Sequence, residues 1–331
     1  MRILITGIGG FLASHLADAL LVQGHEVVGV DNFIGGDIEN VPKGAKLYVQ
    51  NCCDDMTSVM EGVDVVYHTA CTAHEGLSMF SPHFITRNTF DSTMSVLSAA
   101  IEKRVKRFVY LSSMARYGTQ EGTFTEDMTP KPQDPYGISK YASELAIKCL
   151  CEAHGIEYSI AVPHSIIGTR QKYDDPYRNV AAIFINLMLQ GKAPRIYGDG
   201  QQTRSFSFVS DVVEPLVKMG TLPEANGQII NLGPDCNDIT LLQLYEIIAE
   251  LTGCTKSPIF VEGRPGEVKH ATCSADKARR LLGYESRTTT EEGLKEMVEW
   301  ITERGTKPFQ YTLPIEINSP LMPKTWSEKL Y

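Results

Sequence analysis

The sequence lacks the signals of several classes of protein. No run of apolar residues approaches the roughly 18 that a membrane-spanning helix needs, and no internal repeat or low-complexity tract is present. Cations are in the minority, because 31 lysines and arginines stand against 40 aspartates and glutamates, a formal net charge of −9 at pH 7. Since nucleic-acid backbones are bound by clustered cations, this balance argues against a nucleic-acid surface.

The cysteines and histidines form no metal-binding motif. No C-x-x-C pair occurs among the eight cysteines, and no H-x-x-x-H motif occurs among the eight histidines. We therefore expect no metal site, and we expect the thiols to be buried and reduced. The chain runs from Met1 directly into a predicted strand, which leaves no room for a signal peptide. We therefore expect a cytoplasmic protein that binds neither membrane nor nucleic acid.

What remains is the composition of a packed protein. A chain of 331 residues that is 43% hydrophobic and 21% charged can bury one large core, or a large and a small lobe. In the first half, strand-like runs alternate with helical stretches, which predicts right-handed crossovers and a Rossmann-like, doubly wound parallel α/β sheet. After about residue 165 proline and glycine become frequent, which indicates a smaller C-terminal lobe. Predicted strands are 2–6, 26–30, 45–49, 63–68, 107–112 and 159–163; predicted helices are 88–103, 136–154, 241–252, 274–282 and 290–303.

A glycine-rich turn follows the first predicted strand. Residues 7–13 read Gly-Ile-Gly-Gly-Phe-Leu-Ala, and a helix is predicted from Ser14. Glycines permit a tight turn and close backbone approach, and the free N–H groups at a helix start attract a diphosphate. The order of strand, turn and helix predicts a dinucleotide-binding site.

The second predicted strand is followed by Asp31, about 20 residues beyond the turn, where a carboxylate accepts hydrogen bonds from the adenosine ribose. A carboxylate there also repels a 2′-phosphate. Asn32 and Phe33 come next, with no arginine to bind such a phosphate. The sequence therefore predicts NAD rather than NADP.

Tyr136 and Lys140 stand four residues apart on a predicted helix that is preceded by Pro135. This spacing puts both side chains on one helix face, with Cβ atoms roughly 6 Å apart. A free tyrosine has a pKa of about 10, so it needs a nearby cation to act as a base near neutrality. Ser113 follows the fifth strand, at the carboxyl end of the sheet where ligands bind in this architecture. We predict that Tyr136, Lys140 and Ser113 catalyse NAD-linked oxidation of an alcohol.

On these residues the sequence resembles the extended short-chain dehydrogenase/reductase family, in its NAD-dependent epimerase/dehydratase branch typified by UDP-glucose 4-epimerase. The likeness covers nearly the whole chain. It is carried by the glycine turn, the catalytic triplet and two later stretches, Tyr-Gly-Asp-Gly-Gln at 197–201 and Gly-Arg-Pro-Gly-Glu at 263–267. The resemblance implies an enzyme with NAD as cofactor and a nucleotide sugar as substrate. It also implies an NAD-binding domain over residues 1–165, with a returning segment near 203–235, and a lobe over 166–331 that mainly binds the sugar nucleotide.

The resemblance further implies roles for individual residues. Arg204 and Arg264 match positions where family members hold the substrate diphosphate, and the planar fork of arginine suits phosphate oxygens. Ser165 stands in place of the usual asparagine. Cys53 stands where relatives commonly have an aspartate that contacts adenine, so only the backbone of Cys53 is left for that contact. Implied cofactor-binding residues are Gly7, Gly10, Phe11, Leu12, Asp31, Asn32, Cys53, Ala70, Tyr136 and Lys140; implied substrate-binding residues are Ser113, Ser165, Asn179, Arg204 and Arg264.

The residues after Ser113 bear on the reaction. A dehydratase of this branch has an Asp-Glu pair there, and a decarboxylase has a nearby glutamate, but this chain has Met114 and Ala115. Neither side chain can move a proton, so 4-epimerisation is predicted: oxidation at C4, rotation of the keto sugar and re-reduction. Three alternatives stay open: a sugar-nucleotide dehydrogenase or ketoreductase, a 3,5-type epimerase using His74, His164 or Cys71, and a non-catalytic NAD-binding regulator.

Two further expectations come from the resemblance. Ala271 aligns with a bulkier residue of strict glucose/galactose epimerases, which favours a larger sugar such as an N-acetylhexosamine. Helices 88–103 and 136–154 correspond to those through which family members form a four-helix bundle. We therefore expect a homodimer.

Overall fold

The structure, a computed structural model, describes residues 1–235, 238–263 and 270–331. Strands and helices alternate along most of the chain. The strands are β1 (Arg2–Thr6), β2 (Glu26–Asp31), β3 (Lys46–Val49), β4 (Val65–His68), β5 (Arg107–Leu111), β6 (Glu157–Pro163), β7 (Ile166–Ile167), β8 (Arg195–Tyr197), β9 (Thr203–Arg204), β10 (Ser207–Phe208), β11 (Gln228–Leu232), β12 (Ile239–Thr240), β13 (Ile259–Val261) and β14 (His270–Ala271).

The helices vary from one turn to more than five. They are α1 (Phe11–Val22), α2 (Glu75–Ser78), α3 (Pro82–Thr86), α4 (Ser92–Glu102), α5 (Pro135–His154), α6 (Val180–Leu189), α7 (Val209–Met219), α8 (Leu241–Thr252), α9 (Asp276–Leu282), α10 (Thr290–Arg304) and α11 (Lys324–Ser327). A π-helical turn, Arg87–Asp91, joins α3 to α4. Within the described ranges, none of these helices has both the length and the apolar character to cross a bilayer.

A parallel sheet of seven strands forms the centre, in the order β3-β2-β1-β4-β5-β6-β11. Helices α1, α7 and α9 cover one face, and α4 and α5 cover the other, each through its own buried apolar cluster. Because both faces are covered, the central strands are almost wholly apolar, as in β1 and β5. The predicted α/β class with a doubly wound parallel sheet is therefore confirmed.

Strand β11 reaches this sheet after a long excursion of the chain. It pairs in parallel with β6, with Ile230 beside Ala161. Between the two strands lie α6 and the short strands β7 to β10, so the chain leaves the sheet and returns to its edge.

A second apolar core lies among α6, α8 and α10, and we call the part of the molecule built around it the second lobe. Helices α8 and α10 begin with capping boxes, in which Thr240 pairs with Gln243 and Thr289 with Glu292. Helix α6 was not predicted, because its sequence VAAIFINLML is apolar on nearly every side and carries no helical periodicity. Helix α7 was also missed, since Pro215 interrupts its pattern.

The residues after α10 form a tail that runs back over the molecule. The Trp326 ring is buried beside Leu77 and Phe80, and its Nε1 donates to the carbonyl oxygen of Pro176 at 3.2 Å. The carboxylate of Glu316 accepts hydrogen bonds from the first-turn N–H groups of His83 and Phe84, both at 2.9 Å. The tail thus holds the start of α3 and the segment before α6.

Candidate active site

The glycine turn forms a tight connection between β1 and α1. Gly7 has φ of 72°, and its carbonyl oxygen accepts a hydrogen bond from the N–H of Gly10 at 2.8 Å. A Cβ atom on Gly7 would lie 3.0 Å from the Cα of Ala70, and one on Gly10 would lie 2.9 Å from the oxygen of Gly7. A Cβ atom at either position would therefore collide with the protein backbone, so this tight turn requires glycine there. The helix begins at Phe11, three residues earlier than predicted.

Asp31 ends β2 beside this turn. Its Oδ2 accepts from the N–H of Gly9 at 2.9 Å, and its Oδ1 accepts from the N–H of Phe33 at 2.7 Å. Burial raises the pKa of Asp31, although these backbone hydrogen bonds and the nearby Arg178 oppose the shift. Each oxygen keeps a second lone pair for a ligand hydroxyl.

A cavity of about 340 Å³ opens between the carboxyl ends of the strands and the second lobe. The predicted site residues that line it are Gly7, Gly10, Phe11, Leu12, Asp31, Asn32, Ala70, Tyr136, Lys140 and Asn179. Four predicted residues within the described ranges do not line it: Cys53, Ser113, Ser165 and Arg204. Arg264 lies outside the described residues.

Tyr136 and Lys140 lie together near the start of α5. The carboxylate of Asp134 caps this helix by accepting from the N–H of Gly137 at 2.9 Å. Lys140 is buried, and its Nζ donates to the carbonyl oxygen of Leu111 at 2.6 Å and lies 5.8 Å from the centroid of the Tyr136 ring. The two side chains share one helix face, as their spacing predicts.

Ser113 completes this group from the end of β5. Its side chain lies within hydrogen-bonding reach of Tyr136, and its Oγ accepts from the N–H of Ala115 at 3.2 Å. Burial raises the pKa of Tyr136 well above its usual range, and the hydrogen bond from Ser113 opposes that shift. At this raised pKa the phenol is neutral at pH 7.

Cys71 belongs to the same group, although the sequence suggested a use for it only in a 3,5-type epimerase. Its thiol lies in hydrogen-bonding reach of Lys140 and lines the cavity. Burial lowers the pKa of Lys140, but Cys71 and Tyr110 outweigh it, and the net shift is upward. The sequence signal for Cys71 was weak, because nothing in its neighbourhood forms a motif.

The two histidines that a 3,5-type epimerase could use as acid/base groups lie outside the cavity lining in the described part of the chain. His74 is buried and hydrogen-bonded to Asp175, with 2.9 Å between Nε2 and Oδ2. His164 is fully buried at the end of β6, and burial lowers its pKa to about 4. Neither lines the cavity within the described residues, whereas Cys71 does.

The second lobe supplies the far wall of the cavity. Asn179 lines it and caps α6, since its Oδ1 accepts from the N–H of Ala181 at 3.0 Å. Ser165 has φ of 39°, and its neighbour Ile166 lines the cavity instead. Arg204 lies on β9, where its Nη1 donates to the carbonyl oxygen of Thr203 at 2.7 Å.

Cys53, where the resemblance implies a backbone contact to adenine, departs from that expectation. Its backbone N–H donates to the side chain of Asn51 at 2.8 Å, and its thiol donates to the carbonyl oxygen of Arg87. Asn51 and Cys52 line the cavity there. The side chain of Asn51 therefore occupies the backbone donor that the resemblance offered to adenine.

The chain is similar along most of its length to known proteins. Residues 3–233 match the family model described as the NAD dependent epimerase/dehydratase family. UDP-glucose 4-epimerase of Mycolicibacterium smegmatis is 31% identical over 317 residues, which cover 92% of this chain and 100% of that protein. UDP-N-acetyl-alpha-D-glucosaminuronate decarboxylase of Bacillus cytotoxicus is 31% identical, with 91% of this chain and 98% of that protein covered.

A solved structure gives the same likeness in three dimensions. UDP-glucuronic acid 4-epimerase from Bacillus cereus, in complex with UDP-glucuronic acid and NAD, has a TM-score of 0.86 and 27% identity. The match covers 92% of this chain and 100% of that one. These three proteins are named for UDP sugars, but two are 4-epimerases and one is a decarboxylase.

Proposed function

This chain belongs to the NAD-dependent epimerase/dehydratase family as an NAD-dependent sugar-nucleotide epimerase, and we propose that it inverts C4 of a UDP sugar. One observation carries the proposal. Tyr136 and Lys140 face the cavity of the glycine turn, while positions 114 and 115 hold only methionine and alanine. The site can therefore oxidise and re-reduce an alcohol but has no acid at the place where elimination needs one.

We assign the proton transfer to Tyr136. As the phenolate, Tyr136 takes the proton of the sugar C4 hydroxyl and later returns it, while Ser113 orients that hydroxyl and shares the proton. The buried ammonium of Lys140 favours the phenolate by its charge. NAD, when bound, supplies the reversible acceptor for the C4 hydride.

The residues around the glycine turn fit NAD. The first N–H groups of α1 have no partner within the helix and attract a diphosphate, and Gly7 and Gly10 permit the tight turn that presents them. Asp31 offers its remaining lone pairs to ribose hydroxyls. We propose Phe11, Leu12, Asn32 and Ala70 as further cofactor contacts, because they line the same cavity. Cys53 stays a prediction from the resemblance.

For the substrate we propose contacts from the second lobe. Asn179 is the best supported, because it lines the cavity at the start of α6. Ser165 and Arg204 lie beyond the cavity lining, and Arg264 beyond the described residues. Their roles as substrate contacts rest on the resemblance.

The size of the sugar is a finer proposal. Ala271 pairs with Arg204 in the register of β14 and β9, so a small side chain stands beside a proposed diphosphate residue. A small residue there favours an N-acetylated hexosamine. Ala271→Tyr is expected to lower kcat/KM for the UDP-N-acetylhexosamine by about tenfold more than for UDP-glucose. Equal effects on both sugars would reject this proposal.

Decarboxylation is a specific rival, because one of the relatives carries that name. The N–H of Ala115 is bound by Ser113, and a Cβ on Gly137 would lie 2.7 Å from the carbonyl oxygen of Ala115. Helix α5 is thus packed directly on this residue, where a decarboxylase of the branch has glutamate nearby. The packed alanine favours epimerisation.

A 3,5-type epimerase and a regulator fit the site less well than a 4-epimerase, whereas a dehydrogenase is separated by experiment. A 3,5-type epimerase would need acid/base groups besides Tyr136, and of His74, His164 and Cys71 only the cysteine lines the cavity in the described chain. A dehydrogenase or ketoreductase would use the same site with exchangeable NAD. A regulator has no use for the Tyr136, Lys140 and Ser113 group.

We also propose a homodimer. Ile138 and Leu145 on α5 leave 52% and 53% of their surface exposed, seven residues apart on one helix face, and Cys149 follows on that face. A bundle with a second copy would bury this apolar stripe. Light scattering at micromolar concentration should give twice the chain mass, and Leu145→Glu should reduce it to one.

A panel of UDP, GDP and dTDP sugars, followed by NMR without added NAD, tests the function. Inversion at C4 of a UDP sugar supports the proposal. Loss of carbon dioxide or inversion at C3 and C5 would reject it, and so would steady NAD reduction, seen as rising absorbance at 340 nm, in a parallel assay with added NAD. Lys140→Met serves as the inactive control.

A further inference from the structure

Arg178 brings a cation of the second lobe to the cofactor end of the cavity. It precedes α6, lines the cavity together with Asp31 and Gly10, and keeps 17% of its side chain exposed. The prediction of NAD assumed that no arginine stands near Asp31, because none follows it in sequence. The fold supplies one from 147 residues further along the chain.

The guanidinium is anchored at one nitrogen. Its Nε lies 3.3 Å from Oδ2 of Asp175 and 3.3 Å from Nε2 of His74. Both partners are buried, with side chains 7% and 1% exposed, and His74 donates to the same carboxylate oxygen at 2.9 Å. Burial lowers the pKa of His74, so the neutral ring and the Arg178 charge leave Asp175 as the carboxylate. The anchor is a fixed ion pair.

The remaining guanidinium nitrogens, Nη1 and Nη2, have no partner among residues 1–235, 238–263 and 270–331. Nη2 lies over Gly35, since a Cβ there would come within 2.5 Å of it. The next residue, Gly36, packs on the glycine turn, because its Cβ would lie 2.8 Å from the carbonyl carbon of Gly9. The Arg178 guanidinium thus contacts the segment of Gly35 and Gly36, which itself packs on the glycine turn.

We propose that Arg178 binds the diphosphate of NAD and so ties the cofactor to the second lobe. Paired guanidinium donors match phosphate oxygens, and an arginine already held at Nε loses little freedom when it binds. The absence of a side chain at Gly35 leaves room for the guanidinium itself, and its absence at Gly36 lets that residue pack on Gly9. This inference rests on the proposed function only for the purpose of the arginine contact, which is to keep NAD bound between turnovers.

The test measures binding and needs no turnover. Isothermal titration of nucleotide-stripped full-length protein with NAD, ADP-ribose, NADP and UDP compares wild type with Arg178→Met. We expect affinity for NAD and ADP-ribose to fall tenfold or more, and affinity for UDP to change less than twofold. Arg178→Lys keeps the charge but loses the fork, and should fall between the two.

The matched control is Arg170→Met. Arg170 lies in the same segment, pairs with Asp18 at 2.7 Å and does not line this cavity among the described residues, so NAD binding should be unchanged. Unaltered NAD affinity in Arg178→Met would overturn the proposal. A loss confined to UDP would assign the arginine to the substrate, and a loss confined to NADP would assign it to a 2′-phosphate; each would overturn it too. All of these results are independent of which sugar is epimerised.

Discussion

The guanidinium of Arg116 pairs with the carboxylate of Glu144 at 3.1 Å, and 3% of each side chain is exposed. Glu144 follows Lys140 by one turn of α5 and also accepts a hydrogen bond from Ser112. In the described part of the chain, Nε and Nη1 of Arg116 have no hydrogen-bond partner. The buried carboxylate of Glu144 thus interacts with two buried cations, Arg116 and the catalytic Lys140.

Removal of only one member of this buried ion pair should destabilise the fold. Arg116→Met leaves the Glu144 carboxylate buried without its partner and should lower the free energy of unfolding by about 3 to 5 kcal/mol. The double variant Arg116→Met with Glu144→Leu removes both charges and should recover at least half of that loss. Urea unfolding of the three proteins measures it. A double variant no more stable than the single one would contradict this account.

Removal of the proposed base should abolish turnover while NAD still binds. Tyr136→Phe keeps the ring packing and is expected to lower kcat by about a hundredfold or more. Tyr141→Phe is the matched control, because Tyr141 lies on the same helix and does not line the cavity among the described residues. Retention of more than about a tenth of the wild-type rate by Tyr136→Phe would reject the assignment.

The pH profile should report on Ser113. Burial raises the pKa of Tyr136, and the Ser113 hydrogen bond lowers it. Removal of that bond in Ser113→Ala therefore raises the pKa further, so the rise of kcat/KM with pH should move to higher pH. Ser113→Thr keeps a hydroxyl and should keep the wild-type profile. A shift of Ser113→Ala to lower pH would contradict the prediction.

Buried histidines should make the fold sensitive to acid. Burial lowers the pKa of His68 to about 3 and that of His164 to about 4, so the unfolded chain binds protons that the folded one does not. This contribution is complete above about pH 6.5 and is lost as the pH falls towards 4, on the order of 3 kcal/mol for each histidine.

Thermal unfolding between pH 7.5 and 4.5 checks it. The Tm of the wild type should fall with pH, and His164→Gln should show a shallower fall because one titrating group is gone. His83→Gln is the control, since the His83 side chain is 83% exposed, and its slope should match the wild type. An unchanged slope in His164→Gln would contradict the prediction.

The tail should stabilise the site as well as the fold. Trp326 is 4% exposed, and Trp326→Ala should cost about 3 to 5 kcal/mol of unfolding free energy. It should also weaken NAD binding, because Pro176 beneath the ring belongs to the Arg178 segment. Leu321→Ala, at a tail residue that is 67% exposed, should change neither. Equal losses in both variants would contradict a specific role for Trp326.

Predictions from the sequence succeeded where the determining interactions are local. The glycine turn with Asp31, and the spacing of Tyr136 and Lys140, depend on strand and helix geometry within a short stretch of chain. The sheet class followed from the alternation of strands and helices. These features need no knowledge of distant contacts.

The remaining features depend on residues far apart in sequence. Arg178 meets Gly35, and Arg116 meets Glu144, only because crossovers bring their elements together. Arg204 shows the opposite case, since its motif is clear but its side chain does not reach the cavity lining in the described chain. A motif states which residue type is present, whereas its distance from the ligand is set by the whole fold.

The return of β11 to the edge of the sheet has a consequence for how such proteins diversify. A single recombination junction near residue 165 would give a hybrid whose β6 and β11 come from different parents, and a fragment ending there would expose β6 as an unpaired edge. Exchange of substrate lobes between relatives therefore needs at least two matched junctions.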